Sequence, residues 1–114
     1  MIAIAVCLIV GCFILFDVAT GIIKALYNGS IESTVLRKGL YHKLGEIMTV
    51  IGAALLEYGA GYINIGIELP LLNVVSIYIC TMELVSVFEN LAAVNPDLAN
   101  LFKPYLEKLK QRSD

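Results

Sequence analysis

Residues 1–26 read MIAIAVCLIVGCFILFDVATGIIKAL, and the first sixteen of them carry no charge. An α-helix rises 1.5 Å per residue, so about 20 mostly apolar residues cross a hydrocarbon core of about 30 Å. The stretch therefore predicts a membrane-spanning helix over about residues 2–27. Asp17 and Lys24 lie inside this helix or at its edge, where a charge costs an isolated helix about 2.5–3.5 kcal/mol on insertion scales. A helix with that cost is expected to have a polar partner.

The composition of the whole chain is that of a membrane protein. Of its 114 residues, 59% are hydrophobic and 16% are charged, and the mean hydropathy is +0.82. A soluble domain is closer to half apolar and a quarter charged. No Lys or Arg precedes Lys24, so a cleaved secretory signal is not expected. We predict a single membrane domain over residues 1–114.

The positions of the basic residues predict how the chain crosses the membrane. The eight Lys and Arg residues form two groups, Lys24, Arg37, Lys38 and Lys43 in the first and Lys103, Lys108, Lys110 and Arg112 in the second. Short loops rich in these residues stay cytoplasmic, so the first loop and the C-terminal tail should be inside and the turn at residues 64–70 outside. The predicted fold class is an all-α integral membrane protein with three transmembrane helices, at about 2–27, 44–63 and 71–93, and a short C-terminal amphipathic, basic helical tail at 95–114. Its N-terminus is predicted outside and its C-terminus in the cytoplasm.

Two of the predicted spans carry polar residues on one face. Asp17, Thr20 and Lys24 are spaced i, i+3 and i+7, which places them on one side of the first helix. Asp17 and Lys24 are about two turns apart, so we expect each to meet other helices or water. The third span has a weakly polar seam made of Asn73, Ser76, Cys80, Glu83, Ser86 and Asn90. Glu83 is near the middle of that span and is expected to face protein or water.

The second span contains two carboxylates with different expected roles. Glu46 is expected near the inner membrane surface, paired with Lys43 or Arg37. Glu57 has two readings: it lies well inside the membrane, or Tyr58 and Tyr62 mark the outer interface and place it at headgroup depth. Both readings stay open from the sequence.

Basic residues near the predicted inner surface are candidates for lipid binding. We expect Arg37, Lys38 and Lys43 to contact lipid phosphates. Asn95 and Pro96 form a helix-start signal, and Pro104 is expected to divide the tail into two short helical pieces. The sequence of the second piece predicts a basic surface helix with Lys108, Lys110 and Arg112 on its polar face. The alternative is a solvated tail that only keeps the C-terminus inside.

Motifs for catalysis are missing from the sequence. It has no Gly-rich phosphate loop, no Cys/His metal cluster and no nucleophile with a base and an orienting group. The single histidine, His42, has no second His or Cys at ligand spacing, and a solvated interfacial side chain is expected. Cys7, Cys12 and Cys80 fall within predicted spans, where thiols behave as small hydrophobic groups. We expect no enzyme activity, no catalytic residue, no cofactor, no metal and no nucleic-acid partner.

Three groups of residues carry a family resemblance over nearly the whole chain. They are Asp17-x-x-Thr20-Gly21-x-x-Lys24-Ala25, then Ser33-x-x-x-Arg37-Lys38-Gly39 with Lys43, and finally Glu83-Leu-Val-Ser86-Val-Phe-Glu89-Asn90. In this order they resemble the phage holin family that also includes clostridial toxin-secretion holins. One departure is that the chain begins almost directly with the first span, so regulation by a charged N-terminal extension is not expected.

The resemblance implies a protein that accumulates in the bacterial cytoplasmic membrane, assembles with copies of itself and opens lesions. These release a cytoplasmic endolysin, or in some systems a toxin, for host cell lysis. The implied partners are a second copy of the chain, membrane lipid, an antiholin, and an endolysin coupled without direct contact. The polar residues expected to line the pore or pack between helices are Asp17, Thr20, Lys24, Glu57, Glu83, Ser86 and Asn90. The alternatives are an antiholin, a small non-pore subunit of a larger membrane protein, and a selective ion channel.

Overall fold

The computed structural model describes residues 2–29, 31–66 and 70–113, and for residues 112 and 113 it describes the backbone. Within these ranges the chain forms four helices and no strand. They are α1 (Ile2–Asn28), α2 (Ser33–Ala60), α3 (Leu71–Val94) and α4 (Pro96–Ser113). The bounds of α1 and α3 are close to those predicted for the first and third spans. The second helix begins well before the predicted span at residue 44, and its first three turns carry Arg37, Lys38 and Lys43 of the first basic group.

Local sequence signals account for where several helices begin and end. α1 ends at Asn28, and Gly29 follows with a φ of +65°, a left-handed conformation that glycine adopts without steric cost. Asn95 begins α4 because its Oδ1 accepts the backbone N–H of Asp97 at 3.1 Å, with Pro96 in the first helical position. The predicted cap at Asn95 is thereby confirmed.

In the part of the chain that the structure describes, α1 and α3 are long and apolar enough to cross a membrane. The most apolar windows of α1 and α3 have mean hydropathies of 2.8 and 1.9, whereas α2 does not meet the same criterion of length and composition. The structure is compatible with the three predicted crossings. Length and composition support those of α1 and α3, and a crossing by α2 stays a prediction.

The three long helices form a bundle in which α1 and α3 run in the same direction and α2 runs against them. Asp17 shares a cation with Glu83, and Thr20, further along α1, bonds Asn90, further along α3. The apolar core lies farther from the α1–α2 loop than these polar contacts, where Val10 and Ile14 of α1 meet α2 and α3. Its buried members are Val10, Ile14, Val50, Ala53, Leu72 and Ile79.

The tail forms one continuous helix, which corrects the expectation that Pro104 would divide it. α4 runs through Pro104 from Pro96 to Ser113. Pro104 is exposed, so the helix carbonyl that loses its N–H partner there lies on a face where another partner is accessible. The helix is held against α3 by stacking of the Phe88 and Phe102 rings, whose centroids are 4.4 Å apart. Lys110 Nζ also lies 3.9 Å from Glu89 Oε1.

The bundle buries charge and exposes aliphatic side chains. Asp17, Thr20 and Glu83 retain only 5%, 2% and 3% of their accessible surface, while Leu8 and Leu15 on the outer side of α1 retain 66% and 70%. A water-soluble domain has the opposite distribution, because buried charges are costly and large apolar patches are rare on its surface. An exterior of this kind is suited to lipid.

Candidate functional site

A lysine from α2 joins the carboxylates of the two neighbouring helices. Lys43 Nζ lies 2.5 Å from Asp17 Oδ2 on α1, and 2.7 and 3.0 Å from the two carboxylate oxygens of Glu83 on α3. The side chain of Lys43 is 17% exposed, and those of Asp17 and Glu83 are 6% and 4% exposed. All three long helices therefore meet at one ammonium group.

Two uncharged side chains extend this contact between α1 and α3. Asn90 Nδ2 donates to Asp17 Oδ1 at 3.0 Å and to Thr20 Oγ1 at 3.1 Å. Thr20 Oγ1 in turn donates to the backbone carbonyl of Asp17 at 3.0 Å. Asp17, Thr20, Lys43, Glu83 and Asn90 are called the ion network below.

The geometry of the hairpin explains why the ion network forms at this depth. Asp17 lies eleven residues before the end of α1 at Asn28, and Lys43 lies ten residues after the start of α2 at Ser33. Antiparallel helices joined by a short loop place residues at equal distances from the loop at the same level. Lys43 is thus level with Asp17, whereas Lys24 is about 10 Å nearer the loop at 1.5 Å per residue.

The ion network holds more acid than base. Two carboxylates share one ammonium, and the low dielectric around them strengthens both the attraction of the pairs and the penalty for any member left alone. Removing one partner of such a buried pair typically costs about 3–5 kcal/mol, because an uncompensated charge remains. The arrangement is consequently stable only while α1, α2 and α3 stay together at this level.

Glu46 lies in the next turn of α2 after Lys43, on the side that faces α3. Its Oε1 is 3.6 Å from His42 Nδ1, beyond hydrogen-bonding distance, and is buried without a hydrogen-bond partner. The expected pairing of Glu46 with Lys43 or Arg37 is wrong in this structure, because the ammonium of Lys43 is directed to Asp17 and Glu83.

Glu57 holds the beginning of α3 and lies close to the α2–α3 turn. It is in the last turn of α2, and its Oε1 accepts the backbone N–H of Leu72 at 3.0 Å. The free N–H groups at a helix N-terminus favour a carboxylate, both as hydrogen-bond donors and through the helix dipole. Glu57 therefore caps the N-terminus of α3, and its depth in the membrane stays a prediction.

Glu57→Ala is expected to destabilise the folded protein by about 1 kcal/mol, the typical cost of losing a side-chain cap. The measurement is thermal unfolding of the purified protein in a mild detergent, followed by circular dichroism. Glu32→Ala is the matched control, since Glu32 precedes α2 and makes no side-chain cap bond. Equal melting temperatures for Glu57→Ala and the unmodified chain would contradict the capping role.

The remaining predicted site residues are distributed around the ion network. Lys24 is partly buried and lines, with Asp17, Asn28, Glu32, Lys43 and Ser86, a crevice between α1 and α2 of about 370 Å³. Arg37, Lys38 and Lys108 are exposed, as is Lys110 beside Glu89. The side chain of Arg112 lies outside the described residues, as do residues 67–69 of the predicted outer turn. Lys43 was expected at the lipid surface and instead lies within the bundle.

Lys43 is the partner of Asp17 and Glu83, a pairing that was not predicted from the sequence. Counting outward from the Asn28-Gly29 turn in both directions would have identified the Asp17–Lys43 pair. The third member, Glu83, had no comparable signal, because the packing of α3 on α1 is set by side-chain contacts and not by a short loop.

The arrangement can hold helices together and can present charge to water. Among the described residues, no group of three or more His, Cys, Asp or Glu side chains is placed to hold a metal ion. Fold and site together define a small helical membrane protein whose bundle is joined by a buried ion network.

Comparison with protein families places the chain in a known group. The model of the bacteriophage holin family matches residues 2–111, and the chain belongs to that family. No curated protein and no solved structure gives a significant match. Holins permeabilise membranes and are not enzymes, so membership supports a phage holin role in the cytoplasmic membrane.

Proposed function

We propose that this protein is a holin that oligomerises in the bacterial cytoplasmic membrane and opens lesions through which an endolysin, or a toxin, reaches the cell wall. In this proposal α1, α2 and α3 each cross the membrane, with the N-terminus outside and the C-terminal α4 in the cytoplasm. The basic residues at the start of α2 and on α4 stay on the cytoplasmic side, where they contact anionic lipid.

The observation that carries the proposal is the ion network at the centre of a bundle with an apolar exterior. A charge facing lipid costs about 2.5–3.5 kcal/mol on insertion scales, and this cost falls when the charge meets a counter-charge or water. The single chain satisfies Asp17 and Glu83 internally through Lys43. An assembly with a water-filled centre satisfies the same groups by hydration.

The same residues therefore serve two states. Before triggering, Asp17, Thr20, Glu83, Ser86 and Asn90 are packed between helices, and the protein accumulates without harm to the membrane. In the open oligomer they line water, together with Lys24. Glu57, whose carboxylate holds the start of α3, is assigned to the α2–α3 turn and is removed from the pore-lining set.

The partners in this proposal follow from the same two states. A second copy of the chain and membrane lipid are the direct partners, since the exposed aliphatic surface must be covered by one or the other. The endolysin passes through the lesion and needs no contact with the bundle. An antiholin would act by mixing into the assembly.

The test is inducible expression of the chain alone in a bacterium, with and without a cytoplasmic endolysin that lacks its own export signal. Culture density and membrane potential are followed together. We expect an abrupt loss of potential in both strains and lysis only with the endolysin. Continued growth with normal potential, despite verified membrane insertion, would favour the antiholin or subunit reading. Loss of potential without release of the enzyme would favour an ion channel.

A further inference from the structure

The three long helices are not packed equally well. α1 packs most extensively on α3, and its contact with α2 is the smallest among the three pairs. Three open crevices lie beside α2. Two of about 370 Å³ separate it from α1, one on each side of the Lys43 level, and one of about 730 Å³ separates it from α3. These crevices leave α2 less closely packed on its neighbours than α1 is on α3.

The N-terminal part of α2 is the least covered segment of the bundle. Every residue from Ile31 to His42 is exposed, including Val35 and Leu40, which line one wall of the crevice towards α1. Glycines line the crevice midway on both sides, at Gly21 of α1 and Gly39 of α2. Because glycine has no side chain, the space between the helices is left open at these two positions. Residues 33–43 are called the α2 arm below.

Two polar contacts hold α2 to its neighbours. Lys43, ten residues into the helix, pairs with Asp17 and Glu83, and Glu57 in the last turn binds the start of α3. Val50 and Ala53, between them, are the buried core residues of α2. The end with Glu57 is therefore held by packing and by the hydrogen bond to Leu72. The α2 arm is joined to α1 by the four-residue connection 29–32, and its side-chain attachment to the bundle is mainly through Lys43.

We propose that the α2 arm is the moving element of this holin, held closed by Lys43 and pivoting about the Val50–Glu57 region as far as the four-residue connection 29–32 to α1 allows. This rests on the proposed function and adds its conformational step. Departure of the α2 arm removes the ammonium from Asp17 and Glu83, and it opens the crevice along about 16 Å of α1 at 1.5 Å per residue. The two carboxylates then face the space the arm has left.

The test links the α2 arm to α1 across the crevice. Cys7, Cys12 and Cys80 are first replaced by alanine, and Gly21→Cys and Gly39→Cys are introduced. A side chain is accommodated at both positions, since a Cβ at Gly21 would lie 3.7 Å from Asn90 Nδ2 and one at Gly39 would have no atom within 4 Å. A short bifunctional thiol reagent joins the two cysteines in membranes.

The matched control pair is Gly59→Cys with Ile65→Cys, at the pivot end of α2. A Cβ at Gly59 would lie 3.7 Å from Ile65 Cδ1.

We expect the Gly21–Gly39 link to abolish loss of membrane potential and the Gly59–Ile65 link to leave it unchanged. Permeabilisation that persists with the α2 arm linked, or that stops equally with either link, overturns the moving-arm proposal and leaves the holin function intact. If the chain without reagent does not permeabilise membranes, the proposed function fails, and this proposal fails with it.

A second measurement does not depend on lysis. Spin labels on the same cysteine pairs report the distance between α1 and the α2 arm in lipid vesicles. We expect Lys43→Met to lengthen the Gly21–Gly39 distance and to leave the Gly59–Ile65 distance unchanged. An unchanged Gly21–Gly39 distance after Lys43→Met would show that Lys43 does not hold the arm, against the proposal.

Discussion

Lys43→Met is expected to make the protein permeabilise membranes at a much lower accumulated amount than the unmodified chain. The substitution leaves Asp17 and Glu83 buried next to each other without a cation, while the volume and flexibility of the side chain stay similar. Loss of one partner from a buried ion pair costs about 3–5 kcal/mol, a factor of about 100 or more in an equilibrium constant. The closed bundle bears this cost, whereas an open form with hydrated carboxylates does not.

The measurement is the amount of protein per cell at the onset of potential loss, determined by quantitative immunoblotting. Lys38→Met is the control, because Lys38 is an exposed lysine in the same helix, and its onset should match that of the unmodified chain. Membrane insertion of each variant is verified by fractionation. Onset of Lys43→Met at the unmodified amount would show that the ion network does not restrain the closed state.

Exchange of charge between α1 and α2 is expected to have the second largest effect. Asp17→Lys alone places two ammonium groups beside Glu83, and Lys43→Asp alone places three carboxylates together. Each single variant should therefore permeabilise early or fail to accumulate. The double variant Asp17→Lys with Lys43→Asp restores one ammonium between two carboxylates, now supplied by α1, and should recover most of the normal delay.

The two single variants and the double variant form a double-mutant cycle, in which the time of onset of potential loss and the melting temperature in detergent are measured. A strong positive coupling is expected, because each single change leaves like charges in contact. Additive effects of the two substitutions would contradict direct pairing of Asp17 with Lys43. The same exchange between Asp17 and Lys24 is the control, since Lys24 is on the same helix two turns away and is not bonded to Asp17 in the structure.

The sequence was sufficient for the all-helical class and for the ends of several helices. Uncharged runs and Gly or Pro at their borders are local signals, so α1 and α3 were predicted closely, as was the cap at Asn95. Pro104 was misjudged because its effect depends on which face of the helix it occupies. That face is set by the docking of Phe102 on Phe88, a tertiary contact.

The same distinction applies to the ion network. The sequence by itself indicated that Asp17 and Glu83 need polar partners, because the cost of a charge in hydrocarbon does not depend on the rest of the fold. It also contained the hairpin spacing that sets Lys43 level with Asp17. Only the tertiary structure decided that Glu83 and Asn90 join the same group and that Glu57 caps α3. Those contacts depend on the rotation and axial shift of α3 against α1 and α2, and these are determined by packing of side chains distant in sequence.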